Sequence, residues 1–273
     1  MGLEEVDEMA ATLPNLATRA RARMLAAALR RARIVPRTLP RTSFSTRAMS
    51  SPPAEASSAS VKTPREVLSF WFGEDAYFGD TPERMSDGEY MKTKSRSLWY
   101  AGTSADAACM PFVATIEAAA SGALDDHPAW SARPDGDFAR VILFDQLARN
   151  CFRGTPRAFA FDDAALDISR RLCADENIIA TAHPAVVHFL TSPLMHSETL
   201  ADHDLGLAVN DALATRAPAI AAMGRPHVVA HRDVIARFGR YPHRNKNMGR
   251  ENTPEETAWL ASDEVPGWAK SQG

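Results

Sequence analysis

Apolar residues recur at the spacing of an α-helix along most of this chain, and this periodicity is the strongest limit on its fold. Between Asp137 and about Asn150, and again from Val228 to Phe238, they return every three or four residues. No segment alternates apolar and polar residues for long, as a half-buried β-strand would. The sequence therefore predicts an all-α fold of roughly eight helices in antiparallel pairs, because short loops make consecutive helices run in opposite directions.

Four local expectations follow from the same pattern. The stretch from Asp75 to Tyr90 is expected to be a loop, Asp162 to cap a helix, and Pro226 to begin the helix that ends at Phe238. Asp145 and Arg149, four residues apart, are expected to face the same side of their helix.

Two Thr-Pro-x-Glu sequences mark the first and the last predicted helix of the folded region. They are Thr63-Pro-Arg-Glu66 and Thr253-Pro-Glu-Glu256. In each, we expect the threonine to cap the helix, the proline to occupy its first position and the glutamate to complete a capping box. A single all-α domain is therefore predicted at residues 61–273, preceded by a segment of different character.

The first 60 residues have the composition of a targeting leader. An arginine-rich stretch with an apolar face, Met24 to Val35, is followed by Ser/Thr/Pro-rich sequence up to Ser60. We expect delivery to the mitochondrion or plastid, with removal of the leader. The acidic start is wrong for a transit peptide, so Met24 is a candidate initiator, and initiation at Met49 would give a cytoplasmic form. A disordered basic segment is the alternative for residues 1–60.

The charge distribution argues against a nucleic-acid partner. The first 50 residues hold nine arginines and four acids, whereas the rest of the chain has 22 Lys and Arg against 30 Asp and Glu. The predicted folded domain is therefore acidic, and general affinity for nucleic acid is not expected.

Hydropathy and cysteine usage exclude two further classes of protein. No apolar run approaches the roughly 20 residues that a membrane span needs, and the mean hydropathy is −0.26. The three cysteines, Cys109, Cys151 and Cys173, are odd in number and scattered along the chain. This usage argues against a disulfide framework and indicates a reducing compartment.

A donor-rich segment follows the helix that ends near Phe238. Gly239 is expected to end that helix in a left-handed conformation, and Pro242 prevents its continuation. The residues from Arg240 to Arg250 then include arginine, histidine, asparagine and lysine, and no acid. These donors either lie in water or fold back onto acceptors elsewhere in the chain.

Three separated motifs contain most of the polar residues that could form a site. They are Asp145-Gln-Leu-Ala-Arg-Asn-Cys-Phe-Arg-Gly154, Pro193-Leu-Met-His-Ser-Glu198 and Arg237-Phe-Gly-Arg-Tyr-Pro-His-Arg-Asn245. In this order they resemble an uncharacterised, mainly bacterial family called domain of unknown function 924. The resemblance runs from about Val67 to Leu260. It implies an all-α fold similar to tetratricopeptide-repeat proteins, and no established activity.

The resemblance covers the polar residues of these motifs and also His231, and together they form the candidate site. The candidate catalytic residues are His196, Glu198, His231 and His243. The candidate ligand-binding residues are Asp145, Gln146, Arg149, Asn150, Arg153, Arg240, Arg244 and Asn245. Arginine forks bind carboxylate or phosphate, and an acid such as Asp145, Glu198 or Asp233 can orient a histidine. The leading hypothesis is a polar cleft for a small anionic ligand, with enzyme activity left open.

Other interpretations of the same residues remain open. The arginines and carboxylates can pair with each other and lock helix ends together, which makes the motifs purely structural. A tetratricopeptide-like shape suggests a scaffold for an acidic peptide, by analogy of fold alone. A metal site at His196, Glu198, His227 and His231 is disfavoured by the nearby arginines. No metal and no cofactor are therefore predicted, and the oligomeric state is not indicated.

Overall fold

A computed structural model describes residues 60–270, and within that range the chain is all-α, with no β-strand. The predicted targeting leader at residues 1–60 lies, except for its last residue, outside the described residues. The α-helices are, in chain order, α1 Pro64–Phe72, α2 Glu74–Tyr77, α3 Gly88–Lys94, α4 Asp106–Cys109, α5 Val113–Ala120, α6 Pro128–Ser131, α7 Asp135–Val141, α8 Ala148–Cys151, α9 Asp162–Cys173, α10 Glu176–Thr181, α11 Pro184–Leu190, α12 Ser192–His196, α13 Leu200–Leu213, α14 Pro218–Phe238, α15 Pro254–Leu260 and α16 Gly267–Lys270.

Wider and tighter helical turns join several of these helices. The π-helical turns are Ser95–Trp99, which continues α3, and Ile142–Leu147, which connects α7 to α8. The 3₁₀ turns are Pro82–Ser86, Gly102–Ala105, Met110–Phe112, Pro156–Phe159 and Pro242–Arg244. None of the helices in residues 60–270 combines the length and the apolar character needed to cross a bilayer.

Two parts of the sequence are more helical than predicted. The stretch from Asp75 to Tyr90, expected to be a loop, contains most of α2, a 3₁₀ turn and the start of α3. Pro226, expected to begin a helix, lies inside α14, which begins at Pro218. The Pro226 side chain is exposed, so its ring meets solvent rather than the core while the helix continues past the missing N–H.

The predicted helix ends are confirmed at both capping boxes. The Thr63 hydroxyl accepts from the N–H of Glu66, whose carboxylate accepts from the N–H of Thr63, and Thr253 and Glu256 repeat this arrangement. At the end of α14, Gly239 adopts φ 68°, the left-handed conformation that allows the chain to turn away. These ends determine where the donor-rich segment after α14 begins.

We expect Thr253→Ala to lower the free energy of unfolding by about 1 kcal/mol, the usual cost of losing an N-cap acceptor. The N–H of Glu256 would lose its bond to the threonine hydroxyl, 3.1 Å away. Urea unfolding followed by circular dichroism measures the change. Thr257→Ala, in the same helix, is the matched control, because the Thr257 hydroxyl donates to the backbone carbonyl of Thr253, which the Thr253→Ala substitution keeps. Equal losses in the two variants would contradict the capping role.

Helices α13 and α14 form an antiparallel pair. Arg232 of α14 bonds Asp204 near the start of α13, and Arg225 bonds Asp211 near its end. The arginine that comes later in α14 pairs with the aspartate that comes earlier in α13. The two helices are therefore antiparallel, as their short connection predicts.

Two apolar clusters lie in the described residues. The larger one includes Trp71 and Phe72 of α1, whose rings both contact Phe189 of α11 edge-on. The smaller one lies at the C-terminal end of the fold and contains Val234, Ile235, Tyr241, Trp259, Val265 and Ala269. The Tyr241 hydroxyl donates to the carbonyl of Met195, at the end of α12. This bond joins the smaller cluster to the helix that carries His196.

Candidate functional site

Asp145 lies in the π-helical turn between α7 and α8, and its side chain is 0% exposed. A π-helical turn widens the backbone by one residue, and such turns occur often at functional sites. The flanking residues of the turn, from Ile142 to Leu147, are buried as well. A carboxylate in such a place requires partners, since an unpaired buried charge is strongly destabilising.

Three side chains provide those partners. His196 Nδ1 lies 2.6 Å from Asp145 Oδ1, and Gln146 Nε2 donates to Asp145 Oδ2 at 2.6 Å. Arg149, one turn further along the same helical run, lies 3.6 Å from Oδ1. The predicted proximity of Asp145 and Arg149 is therefore present, as is a carboxylate that orients His196.

The protonation state of this pair follows from its surroundings. Burial opposes ionisation of Asp145, but hydrogen bonds from His196 and Gln146 and the charge of Arg149 hold the pKa of this carboxyl below its usual value. Burial, together with the positive charges of Arg149 and Arg244, lowers the pKa of His196. The pair is thus an ionised Asp145 and a neutral His196 at pH 7. The imidazole proton lies on Nδ1 and forms the hydrogen bond to the Asp145 carboxylate. The lone pair therefore lies on Nε2.

Two arginines converge beside this pair. Arg149 donates to both oxygens of Asp162, at 2.9 and 3.1 Å, and Arg244 donates to Asp162 Oδ2 at 3.3 Å. Arg244 also donates to the backbone carbonyl of His196 at 3.1 Å. Both guanidinium groups lie about 5 Å from the ring of Phe159, Arg149 at 5.2 Å and Arg244 at 5.0 Å. We call Asp145, Arg149, Asp162, His196 and Arg244 the Asp145 cluster.

Buried nitrogen atoms at the Asp145 cluster lack a hydrogen-bond partner. Two of them are donors, the Nε atoms of Arg149 and Arg244; another is Nδ1 of the neighbouring His243, which donates or accepts according to its tautomer. Arg149, Arg244 and His243 are 8%, 6% and 8% exposed. An unpaired buried donor costs about 1–3 kcal/mol. An acceptor that reaches the two arginine Nε atoms would therefore be bound favourably.

Aromatic rings enclose the other predicted histidines. His231 stacks on Trp268 of α16, with ring centroids 3.8 Å apart and planes 15° apart. Its Nδ1 donates to the carbonyl of His227 at 2.7 Å, so Nε2 holds the lone pair. His243 lies 5.4 Å from both Tyr241 and Trp268, and the His231 and His196 rings are 6.1 Å apart. The His231 ring therefore contacts both His196 and Trp268, and His243 contacts the same tryptophan.

We expect His243 to make the protein less stable as the pH falls. Burial and the charges of Arg244 and Arg149 lower the pKa of His243 from 6.5 to about 3. Below pH 6.5 the His243 imidazole binds a proton in the unfolded chain but not in the folded protein. The free energy of unfolding therefore falls as the pH falls. The loss from this one side chain is about 2 kcal/mol at pH 5, because each pKa unit corresponds to about 1.4 kcal/mol.

Urea unfolding of the wild type and of His243→Gln at pH 7 and pH 5 measures this contribution. Glutamine does not titrate. The decrease in the free energy of unfolding from pH 7 to pH 5 should therefore be about 2 kcal/mol smaller in the variant than in the wild type. The same pH dependence in both proteins would contradict a buried, neutral His243.

Four predicted site residues instead form ion pairs or hydrogen bonds that join separate segments. Glu198 accepts from both terminal nitrogens of Arg250 and from the backbone N–H of Tyr241, and it does not orient a histidine. Arg240 and Asn245 both donate to Glu256 of the second capping box. Arg153 forms a two-point pair with Asp106. For these residues the structural interpretation fits the contacts better.

The two amides of the first motif have different positions. Gln146 contacts the Asp145 cluster directly through its bond to Asp145. Asn150 instead donates to the carbonyl of Gln146 and accepts from Arg153 at 2.8 Å. Asn150 therefore supports the helix and the Arg153 pair rather than the Asp145 cluster.

Sequence reasoning missed four contributors to the site. Asp162 was expected only to cap α9, but the N-cap is Phe161, and the Asp162 carboxylate binds two arginines. Phe159 and Tyr241 flank the Arg244 guanidinium, with Tyr241 4.6 Å away. Trp268 lies beyond the range of the family resemblance. A usable signal existed for two of them: Asp162 is an acid close in sequence to the arginines of the first motif, and Tyr241 lies inside the third motif.

The alternative of a metal site finds no support in the geometry. Among residues 60–270, no group of three or more His, Cys, Asp or Glu side chains lies close enough to hold a metal ion. The Nδ1 atoms of His196 and His231 are already engaged by Asp145 and by a backbone carbonyl.

Comparison with known proteins identifies a family. Residues 67–264 match the sequence model of the family described as bacterial protein of unknown function (DUF924). The chain is also similar to a solved structure of a protein of unknown function from Agrobacterium tumefaciens, with 27% identity over 72% of this chain and 96% of that one, and a TM-score of 0.47. A comparison with curated proteins gave no match.

Proposed function

Because this chain belongs to the bacterial family of unknown function DUF924, whose description names no activity, we propose a function from the geometry of its own side chains. The Asp145 cluster binds a small anionic ligand, a carboxylate or a phosphate. The observation that carries this proposal is the convergence of two buried arginines, each with an unpartnered Nε, beside a neutral histidine.

The charge on Arg244 supports an anion as the missing partner. Burial lowers the pKa of Arg244, and the like charge of Arg149 lowers it further, against the opposing effect of Asp162. Arg244 contacts the Asp162 carboxylate at 3.3 Å and shares it with Arg149, which also pairs with Asp145. A bound oxyanion would relieve the repulsion and accept from the guanidinium donors that lack partners.

The Asp145–His196 pair supports proton transfer to or from that ligand. An ionised carboxylate on Nδ1 fixes the tautomer of the imidazole and leaves Nε2 able to accept a proton. The same hydrogen bond stabilises the imidazolium that forms when Nε2 accepts one. His196 is therefore the candidate general base, and Asp145 its positioning residue. Hydrolysis of an anionic ester is the reaction class to assay first.

One observation favours a competing function. The side chains of the Asp145 cluster are mostly buried, and its two aspartates neutralise its two arginines. A cluster of this kind also serves as a structural lock between α8, α9, α12 and the segment after α14. A structural lock requires the pairs but has no use for added anions, so ligand binding separates the two functions.

A thermal-shift screen of the full chain against small carboxylates and phosphomonoesters provides the test. A ligand at 100 times its Kd stabilises by about 2.7 kcal/mol, which raises the Tm of a protein of this size by roughly 5–10 °C. Arg244→Ala should abolish the rise, and Arg244→Lys, which keeps the charge but loses the fork, should reduce it. Arg65→Ala, an exposed arginine paired with Glu74, is the matched control.

The outcome is decisive in either direction. A ligand that raises the Tm of the wild type and of Arg65→Ala, but not of Arg244→Ala, supports an anion site. A screen in which every anion shifts the wild type and Arg244→Ala equally would overturn the proposal and leave the structural lock.

A further inference from the structure

Phe159 lies against both arginines of the Asp145 cluster. It is the last residue of the 3₁₀ turn Pro156–Phe159, between α8 and α9, and its side chain is half-buried. Its ring centroid lies 5.2 Å from the guanidinium carbon of Arg149 and 5.0 Å from that of Arg244. Among residues 60–270, no second ring lies this close to both guanidinium groups. Phe159 therefore shields the two arginines together.

The Phe159 ring is not part of the apolar core. It belongs to neither of the two apolar clusters of the described residues, nor to the half-buried side chains that pack against them. Its contacts with the arginines depend instead on the attraction of a positive charge for the face of an aromatic ring, which is weak where solvent reaches it. The preceding residue, Ala158, is buried and holds the backbone of the turn. The ring can thus rotate toward solvent about its own side-chain bonds while the turn stays in place.

The unpartnered arginine donors are covered, although part of the Asp145 cluster is open to solvent. The Nε atoms of Arg149 and Arg244 are buried, whereas the His196 side chain is 18% exposed. Solvent therefore reaches the imidazole but not these two donors. An oxyanion is larger than a water molecule, so it binds them only after a neighbouring group moves aside.

Tyr241 is the other ring beside Arg244, and it is firmly held. It is fully buried, and its hydroxyl bonds the carbonyl of Met195. Phe159 has no such anchor, since it is half-buried and lies outside both apolar clusters. Of the two rings, Phe159 is the one whose movement costs less.

We propose that Phe159 is the gate of the anion site: its ring covers Arg149 and Arg244 in the free protein and rotates toward solvent to admit the ligand. This inference rests on the anion site proposed above. In the closed state, the ring holds the two guanidinium groups beside Asp162 and keeps water from them. Removing the ring leaves the site open. Access to the two arginines should then increase roughly tenfold, the factor expected for the loss of two weak contacts between a cation and a ring.

Chemical labelling of arginine in the full chain with phenylglyoxal, mapped by mass spectrometry, tests the gate without any ligand. In the wild type, Arg149 and Arg244 should react slowly, and so should Arg140, whose side chain is 12% exposed. Phe159→Ala should raise the labelling rates of Arg149 and Arg244 roughly tenfold. The rate at Arg140, which lies over the ring of Trp130 instead, should not change.

Phe78→Ala is the matched control. Phe78 is also half-buried and lies beside an arginine, Arg65, so its removal should leave the labelling of Arg149 and Arg244 unchanged. Phe159→Leu, which keeps apolar volume but lacks an aromatic face, replaces Phe159→Ala if that variant does not fold, and should give a smaller rise. Unchanged labelling of both arginines would overturn the proposal. An equal rise at Arg140 would overturn it too, because it would show general loosening of the fold.

The rate of phosphate binding connects the gate to the anion site. Line broadening of inorganic phosphate in phosphorus NMR should show association roughly tenfold faster with Phe159→Ala than with the wild type or Phe78→Ala. Equal association rates in the three proteins would overturn the gate. The labelling needs no ligand, so the two proposals fail separately. Unchanged labelling rejects the gate even if anions bind, and a thermal-shift screen without any anion effect rejects the anion site whatever the labelling shows.

Discussion

Replacing Asp145 with alanine should lower the free energy of unfolding by about 3–5 kcal/mol, the cost of breaking a buried ion pair by removing one partner. Asp145 is fully buried and bonds His196, Gln146 and Arg149. Without it, Asp162 is the remaining ion-pair partner of Arg149, and Nδ1 of His196 loses its hydrogen-bond acceptor. Chemical denaturation at pH 7 measures the change.

The matched control is Asp204→Ala on α13. Asp204 also pairs with an arginine, Arg232, but its side chain is 45% exposed. A pair so exposed contributes about 1 kcal/mol or less. If Asp145→Ala costs no more than Asp204→Ala, then Asp145 is not the buried, multiply bonded carboxylate described above.

Replacing Tyr241 with alanine should cost about 3–5 kcal/mol, as is typical for the loss of a buried aromatic ring. Tyr241 is 0% exposed and contacts the rings of His231, His243 and Trp268. It also lies 4.6 Å from the Arg244 guanidinium. The variant should therefore lose anion binding as well, because Arg244 and His243 would no longer be held in place.

Tyr241→Phe separates the ring from its hydroxyl. The hydroxyl bonds the carbonyl of Met195, and its loss should cost about 1 kcal/mol. The ring contacts with Arg244 and the two histidines remain, so anion binding should persist in this variant. A loss of stability in Tyr241→Phe as large as in Tyr241→Ala would mean that the hydroxyl, and not ring packing, holds the segment after α14.

Local patterns were sufficient to predict three helix ends and the class of fold. The Thr-Pro-x-Glu sequences place the starts of α1 and α15, and Gly239 places the end of α14. Each depends on backbone groups within a few residues, so the sequence contains the necessary information. The short helices between Asp75 and Tyr90 were missed, because a helix of one or two turns shows too little periodicity to be recognised.

The composition of the candidate site was predictable only in part. Asp145 and Arg149 are four residues apart, so any helical conformation brings them together. The family resemblance indicated His196 and Arg244. His196 meets the first motif at Asp145, and Arg244 meets the backbone carbonyl of His196. Their meeting depends on how α12 and the segment after α14 pack, which local sequence does not encode.

The distribution of carboxylates among the arginines was not predictable. Arg240 and Arg244 are equivalent candidates in the sequence, but Glu256 completes a capping box and binds Arg240 with both oxygens, which removes Arg240 from the site. Asp162 has the sequence position of a helix cap, but it accepts from both Arg149 and Arg244. Which acid meets which arginine depends on distances between segments far apart in the chain, and only the folded structure provides them.

Proton-detected nitrogen NMR of the histidine side chains in the full chain tests the central claim most directly. The wild type at pH 7 should show a neutral His196 with its proton on Nδ1. Addition of inorganic phosphate, acetate or citrate should shift the His196 resonances saturably, and Arg244→Ala should abolish that shift. A protonated His196 at pH 7, or His196 resonances that respond to these anions equally in the wild type and in Arg244→Ala, would contradict an anion site built on Asp145, His196 and Arg244.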